Sequence, residues 1–237
     1  MGSASSGLTT TALRPGSSQT LTVANVSKLH TDANFTADGS SSSGLPVQFS
    51  KVPSSDVLFD SYTATTWASG RTVCSVDSTT GAVTIDLAGT CTIAADQNGN
   101  DAVVGGNSTT YLAAPQKTFT VTVAATLPGV IRVPSATSDN SRLRIQWSAP
   151  APGADGGVHI TGYQIMWWNQ TDHPSRPSDA DFANFDVSAT GTWHGFGRMM
   201  VNAANWYDFY LENLHNGDTY TILIQAQNSV GLGPESL

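Results

Sequence analysis

Along this chain apolar residues recur at every second position in short runs, and each run is closed by Gly, Pro, Asn, Asp or Ser. Such alternation puts successive side chains on opposite faces of an extended strand, one buried and one wet. The runs fall at 20–23, 47–49, 83–85, 90–94 and 118–123, then, beyond Leu127-Pro128-Gly129, at 143–147, 163–167, 207–211 and 220–226. No helical period intervenes between them. Charged residues make up only 12% of the chain. That is about half of the usual ~25%, and long amphipathic helices need straight-chain charged residues on their wet face. Spaced, turn-bounded strands in such a composition predict an all-β protein built as two tandem β-sandwiches.

With 237 residues the chain has room for one large domain or two small ones, each with its own core. Trp147, Trp167, Trp168, Trp193 and Trp206 follow residue 128, while both cysteines, Cys74 and Cys91, precede it, so two separate cores are expected. The joint falls at 124–128, where a strand ends and a Pro-Gly pair intervenes. The expected layout is a flexible Ser/Thr/Gly-rich arm over 1–18, one sandwich over 19–125 and a second over 126–237. A net charge of −8, with only ten basic side chains, leaves no basic stripe to neutralise phosphates, so no nucleic-acid partner is expected. No apolar run approaches the ~18–20 residues of a membrane helix, so no membrane insertion is expected either. The first twenty residues lack the apolar segment of an export signal; either it was removed or that route is not used.

Residues 74–95, CSVDSTTGAVTIDLAGTCTIAA, contain a turn signal at 78–81 and a bend at Gly89, after which Cys91, Ile93 and Ala95 alternate with Thr92 and Ala94. Strands entering and leaving this hairpin bring Cys74 and Cys91 side by side. Joined, they close a loop of about 17 residues, worth roughly 3 kcal/mol in chain entropy, and persist only in an oxidising compartment. Unjoined, they pack as two buried thiols. From Gln19 to Val123 the chain resembles a bacterial immunoglobulin-like domain of large surface and secreted proteins. The resemblance rests on an opening QTLTV, Ser-Gly-Leu-Pro at 43–46 before a strand, the Cys-x-Val … Gly-Thr-Cys-Thr-Ile-x-Ala hairpin, and Ala-Ala-Pro at 113–115 ahead of the last strand. The chain departs from that pattern in longer loops at 50–74, with Trp67 and Arg71, and at 98–111, read as contact surfaces or as decoration.

Residues 211–234, LENLHNGDTYTILIQAQNSVGLGP, carry a second pattern. Leu214 plugs a sandwich end, Asn216-Gly217 turns the chain, and Tyr220 starts a strand whose Ile222, Ile224 and Ala226 face one way. Tyr220 is placed to reach back with its hydroxyl to the turn backbone, forming a tyrosine corner. Trp147 reads as a core tryptophan, and Gly157 to Gly162 lead into Tyr163 on the third strand. With these features the half from about Pro128 onward resembles a fibronectin type III domain. Two departures stand out. The 51 positions from Tyr163 to Leu214 exceed what the family usually needs, and the excess is aromatic and polar, including His173, Phe182, Phe185 and Phe196. Glu235-Ser236-Leu237 is too short for a last strand, so the sixth strand is expected to be an open edge. Either the chain is cut mid-domain or a neighbouring subunit supplies the strand by β-augmentation.

No Gly-x-Ser-x-Gly elbow, His-Glu-x-x-His helix, phosphate loop or dinucleotide fingerprint is present. His30, His159, His173, His194 and His215 are scattered, none at metal-ligand spacing from another. The run DQNGND at 96–101 offers oxygen ligands at alternate positions, yet Asp101 replaces the Gly of a calcium loop and no Glu closes it, so it reads as a polar turn. Asp179, Asp181 and Asp186 read as a solvated loop rather than an acid/base pair. Neither catalysis nor a cofactor nor a metal is expected. An exposed Trp168 beside Trp193, His194 or Trp206 would offer a platform for a sugar ring or a protein contact; the competing reading is a satellite core beneath the insertion. The two resemblances together imply a non-catalytic structural or adhesive module of a bacterial surface or secreted protein, extracellular, with protein partners or self-association. They leave two alternatives. One is a phage virion decoration or fibre protein completing its open edge with a neighbouring subunit, and the other is an accessory module that binds a glycan.

Overall fold

The computed structural model describes residues 16–60, 67–100, 110–183, 195–202 and 207–236. In the first part of the chain lie β1 (Leu21–Val23), β2 (Val26–Leu29), β3 (Phe35–Thr36), β4 (Gly39–Ser41), β5 (Gln48–Lys51), β6 (Val57–Leu58), β7 (Cys74–Val76), β8 (Ala82–Ile85), β9 (Gly89–Asp96) and β10 (Lys117–Ala124). One sheet has the order β2-β10-β9-β5, with β6 also on β9; facing it are β3-β8-β7 and the pair β1-β4. The long strands β9 and β10 form the spine because Cys91, Ile93 and Ala95 on one, and Phe119, Val121 and Val123 on the other, all point into the same core. Strand β2 joins β10 in parallel, so the sheet closes on a pairing of residues nearly a hundred positions apart.

The second lobe holds β11 (Arg132–Asp139), β12 (Arg142–Ser148), β13 (Gly162–Asn169), α1 (Asp179–Ala183), β14 (Phe196–Asn202), β15 (Asp208–Glu212) and β16 (Tyr220–Gln227). Its two sheets, β11-β12-β15 and β14-β13-β16, enclose a separate core of Ile131, Ile145, Trp147, Tyr163, Ile165, Trp167, Leu211, Leu214, Ile224 and Ala226. All-β architecture in two sandwich lobes is therefore what the structure shows, with a five-residue helix as the exception. That helix starts at a reciprocal cap: the Ser178 backbone N–H donates to the Asp181 carboxylate, and the Asp181 N–H returns a bond to the Ser178 hydroxyl. Among the described residues no helix is long and apolar enough to cross a membrane.

Two of the described residues bear on the stretch 16–19, where the expected arm meets the first sandwich. Residues 1–15 lie outside the described residues, but Ser17 already pairs in parallel with Tyr111, and Gln19 is buried. The amide of Gln19 bonds to the side chain of Gln97 and to the carbonyl of Leu112, which ties residue 19 into the first lobe.

Candidate functional site

Cys74 and Cys91 form a disulfide, with Cα atoms 6.1 Å apart and no exposed surface on either residue. Its location differs from the hairpin reading. The hairpin is β7–β8; the chain then crosses through 86–88 to β9 in the opposite sheet. The bond therefore ties sheet to sheet at the centre of the core, among Val73, Val83, Leu87 and Ile93, all fully buried.

At the far end of the second lobe the Tyr220 hydroxyl accepts a hydrogen bond from the His215 backbone N–H at 3.0 Å. The turn 215–218 is thereby fixed, and Leu214 drops into the core with its own N–H donated to the Ser141 carbonyl. Trp147 and Tyr163 meet edge to face with ring centroids 5.4 Å apart. Burial pushes the Tyr163 hydroxyl far above the ordinary phenol value, and the neighbouring Tyr207 adds to the rise.

Strand β13 is buried along its whole length on both faces, which a two-layer sandwich does not require. Trp167 fills the main core; Met166 and Trp168, on the opposite face, pack with Phe182, Phe196 and Leu223 into a smaller core of their own. The described residues that follow β13, 170–183, thus add a third layer. Arg176 secures it, lying over the Phe182 ring and pairing with Asp179 and with Glu235 near the end of the chain. Trp168 is only 7% exposed, so the reading of it as a solvent-facing platform is corrected: its faces are covered by apolar side chains. Trp193, His194 and Trp206, named with it, lie outside the described residues, as does Asp186. Asp179 and Asp181, expected in a solvated loop, lie instead in α1, and Ser-x-x-Asp at 178–181 is the local signal of its cap.

The end of the chain also departs from expectation. Residues 232–236 run antiparallel beside β16: Gln227 bridges Leu232, Gly233 N–H bonds to the Ala226 carbonyl, and Ser236 N–H bonds to that of Ile224. The Ser236 hydroxyl accepts from the Ile224 N–H. Half of the edge expected to be open is therefore covered by the chain itself.

In the run 96–101 the described side-chain oxygens are taken up by protein donors, the Asp96 carboxylate by the Gln116 side-chain amide at 2.9 and 3.0 Å. Gln97 Oε1 accepts from the Gly99 N–H at 2.6 Å and Asn100 Oδ1 from the Tyr111 N–H at 2.7 Å, while Asp101 lies outside the described residues. Among the described residues no three His, Cys, Asp or Glu side chains are gathered as metal ligands would be.

The tyrosine corner and the core tryptophan sit in the part of the chain that a family model recognises. Residues 128–237 match the fibronectin type III domain. Among solved structures, the chain is 19% identical to titin kinase and its flanking domains, covering 48% of this chain and 16% of that one, with a TM-score of 0.33. A second titin structure, of several of its domains, is 15% identical over 92% of this chain and 63% of its own, with a TM-score of 0.34. The chicken CNTN1 FN1-FN3 domains are 18% identical over 66% and 44%, with a TM-score of 0.35. The chain thus spans about a sixth of the first of these and less than two thirds of the others. No curated protein sequence matches it.

Proposed function

We propose that this chain is a non-catalytic structural or adhesive module of a bacterial surface or secreted protein, in which an immunoglobulin-like sandwich over 19–125 precedes the fibronectin-type one over 126–237. The observation that carries the reading is the disulfide joining the two sheets of the first lobe, fully buried in its core. Such a bond forms and lasts where the surroundings oxidise thiols, which is the condition outside the cytoplasm. The parallel β2–β10 pair and the inter-sheet bond support the immunoglobulin-like reading of the first lobe. In this reading the packed sandwich serves as a stable body that carries loops at its ends. The glycan-binding alternative loses its main residue with the burial of Trp168.

Alkylation of free thiols in unreduced cells of the native source, followed by mass spectrometry of the protein from surface, secreted, particle and cytoplasmic fractions, tests this. A Cys74–Cys91 peptide pair in the surface or secreted fraction is the expected result. Alkylated cysteines in a cytoplasmic pool would overturn it, and recovery from purified phage particles would establish the virion alternative.

A further inference from the structure

Two sandwiches joined by a short linker ordinarily move against each other unless a substantial interface holds them. Here the linker has no slack. Between the end of β10 and the start of β11, Thr126 uses both its N–H, donated to the Gly156 carbonyl, and its own carbonyl, which accepts from the Asn228 side-chain amide at 2.8 Å. The Gly129 N–H bonds to the Ala154 carbonyl, and Ile131 is buried in the second core. The partner in each case is the APGADGG loop at 151–157 or the residue that braces it, since the Asn228 amide also bonds to the Asp155 carbonyl.

That loop reaches into the first lobe. One oxygen of the Asp155 carboxylate accepts from the Trp67 indole N–H at 3.0 Å and from the Arg71 guanidinium at 2.6 Å; the other accepts from the Gly157 N–H. Arg71 meanwhile grips Asp86 of its own lobe with two nitrogens, at 3.0 and 2.8 Å, and lies 5.1 Å from the Trp67 ring centre. Only a planar fork with several fixed donors satisfies two carboxylates in this way. Next to this contact the Gly157 carbonyl accepts from the Ala88 N–H of the first lobe. Gly157 has φ of +78°, and a Cβ there would lie 2.6 Å from the His30 ring and 2.7 Å from the Ala88 nitrogen, so the two backbones meet without room for a side chain. On the other side of the loop His159 bonds to the Asp60 carboxylate through its ring Nδ1 and its N–H. Asp155 and Arg71 are both largely shielded, with side chains 14% and 20% exposed.

We propose that the 151–157 loop is a latch that locks the two lobes at one fixed angle, with Arg71 as the bolt between Asp86 and Asp155, so that the chain is a rigid elbow rather than a jointed pair. Such an elbow transmits orientation from one end of the module to the other, whatever either end binds. Its test is therefore separate from the thiol and localisation assays.

The measurement is 15N relaxation on the full chain, with amide shifts confirming that both lobes are folded. In the unaltered protein the two lobes are expected to share one rotational correlation time and one diffusion tensor. In Arg71→Gln, a change confined to the first lobe, and in Asp155→Ala, each lobe's correlation time is expected to drop toward that of a single lobe. Arg71→Lys keeps the charge but not the fork, and is expected to behave like Arg71→Gln. Independent tumbling in the unaltered chain would overturn the proposal, as would shared tumbling preserved in Arg71→Gln. Should Asp155→Ala fail to fold, Arg71→Gln still decides.

Discussion

Single atoms of the second lobe have separable duties. The Tyr220 hydroxyl holds the turn before β16 through the His215 N–H. Tyr220→Phe keeps the ring and removes that acceptor, so we expect a loss of about 1 kcal/mol in urea unfolding, the usual scale for one hydrogen bond in a folded protein. Trp168 makes a contrasting case. Its ring packs with Met166 and Phe182 beneath the insertion, so Trp168→Ala opens a cavity. The expected cost is about 3–5 kcal/mol, typical of deleting a large buried aromatic, with no effect specific to sugars on a glycan array. A variant of unchanged stability that lost glycan binding would restore the platform reading. At Gly197 the constraint is contact rather than chemistry: an added Cβ would lie 2.4 Å from the Trp167 ring, which explains why the strand opposite the core tryptophan carries no side chain there.

Elements with a buried face and a clean alternation were legible from residues alone; those shaped by distant partners were not. Strands β9, β10, β12, β13 and β16 follow the apolar runs because their inward residues repeat at every second position. Strand β4 is Gly-Ser-Ser and exists through its pairing with β1, and β2 is drawn in by the end of β10; neither has a local signal. Strand β11 contains Pro134, which argues against a strand interior. It is tolerated because β11 is an edge paired only with β12, with a break in register between Arg132 and Ser135. The cysteine pair shows the same limit. Spacing announced proximity, while the crossing from β8 to β9 that sets the bond between sheets depends on the whole lobe. Because the bond spans the two layers and closes a loop of 17 residues, Cys74→Ala with Cys91→Ala is expected to destabilise the first lobe by about 3 kcal/mol, read from urea unfolding without reductant. A loss well under 1 kcal/mol would show that packing around Val73 and Ile93 holds the sheets unaided.

For the molecule as a whole, acid is the condition that reaches several supports together. Hydrogen bonds from the Arg142 guanidinium and the Asn140 N–H hold Asp139 below the ordinary aspartate value of 3.8, and bonds from Arg144 do the same for Asp208. The Ser178 hydroxyl and N–H lower Asp181, and the N–H groups of Thr80 and Thr79 lower Asp77 in the first lobe. In each case the folded carboxyl gives up its proton more readily than the unfolded one. Below the ordinary value the unfolded chain therefore binds more protons, and unfolding gains as pH falls. The stabilisation is fully present above that value and disappears as pH drops through the depressed folded ones. Urea midpoints are expected to be flat from pH 7 to 5 and to fall toward pH 3, with Asp208→Asn reducing the slope. These carboxylates lie at the surface, so 1 M salt should shrink the pH-dependent part by screening while leaving the cores untouched. A midpoint that stayed level to pH 3, or a slope indifferent to salt and to Asp208→Asn, would show that these pairs exist without contributing to stability, as many surface ion pairs do.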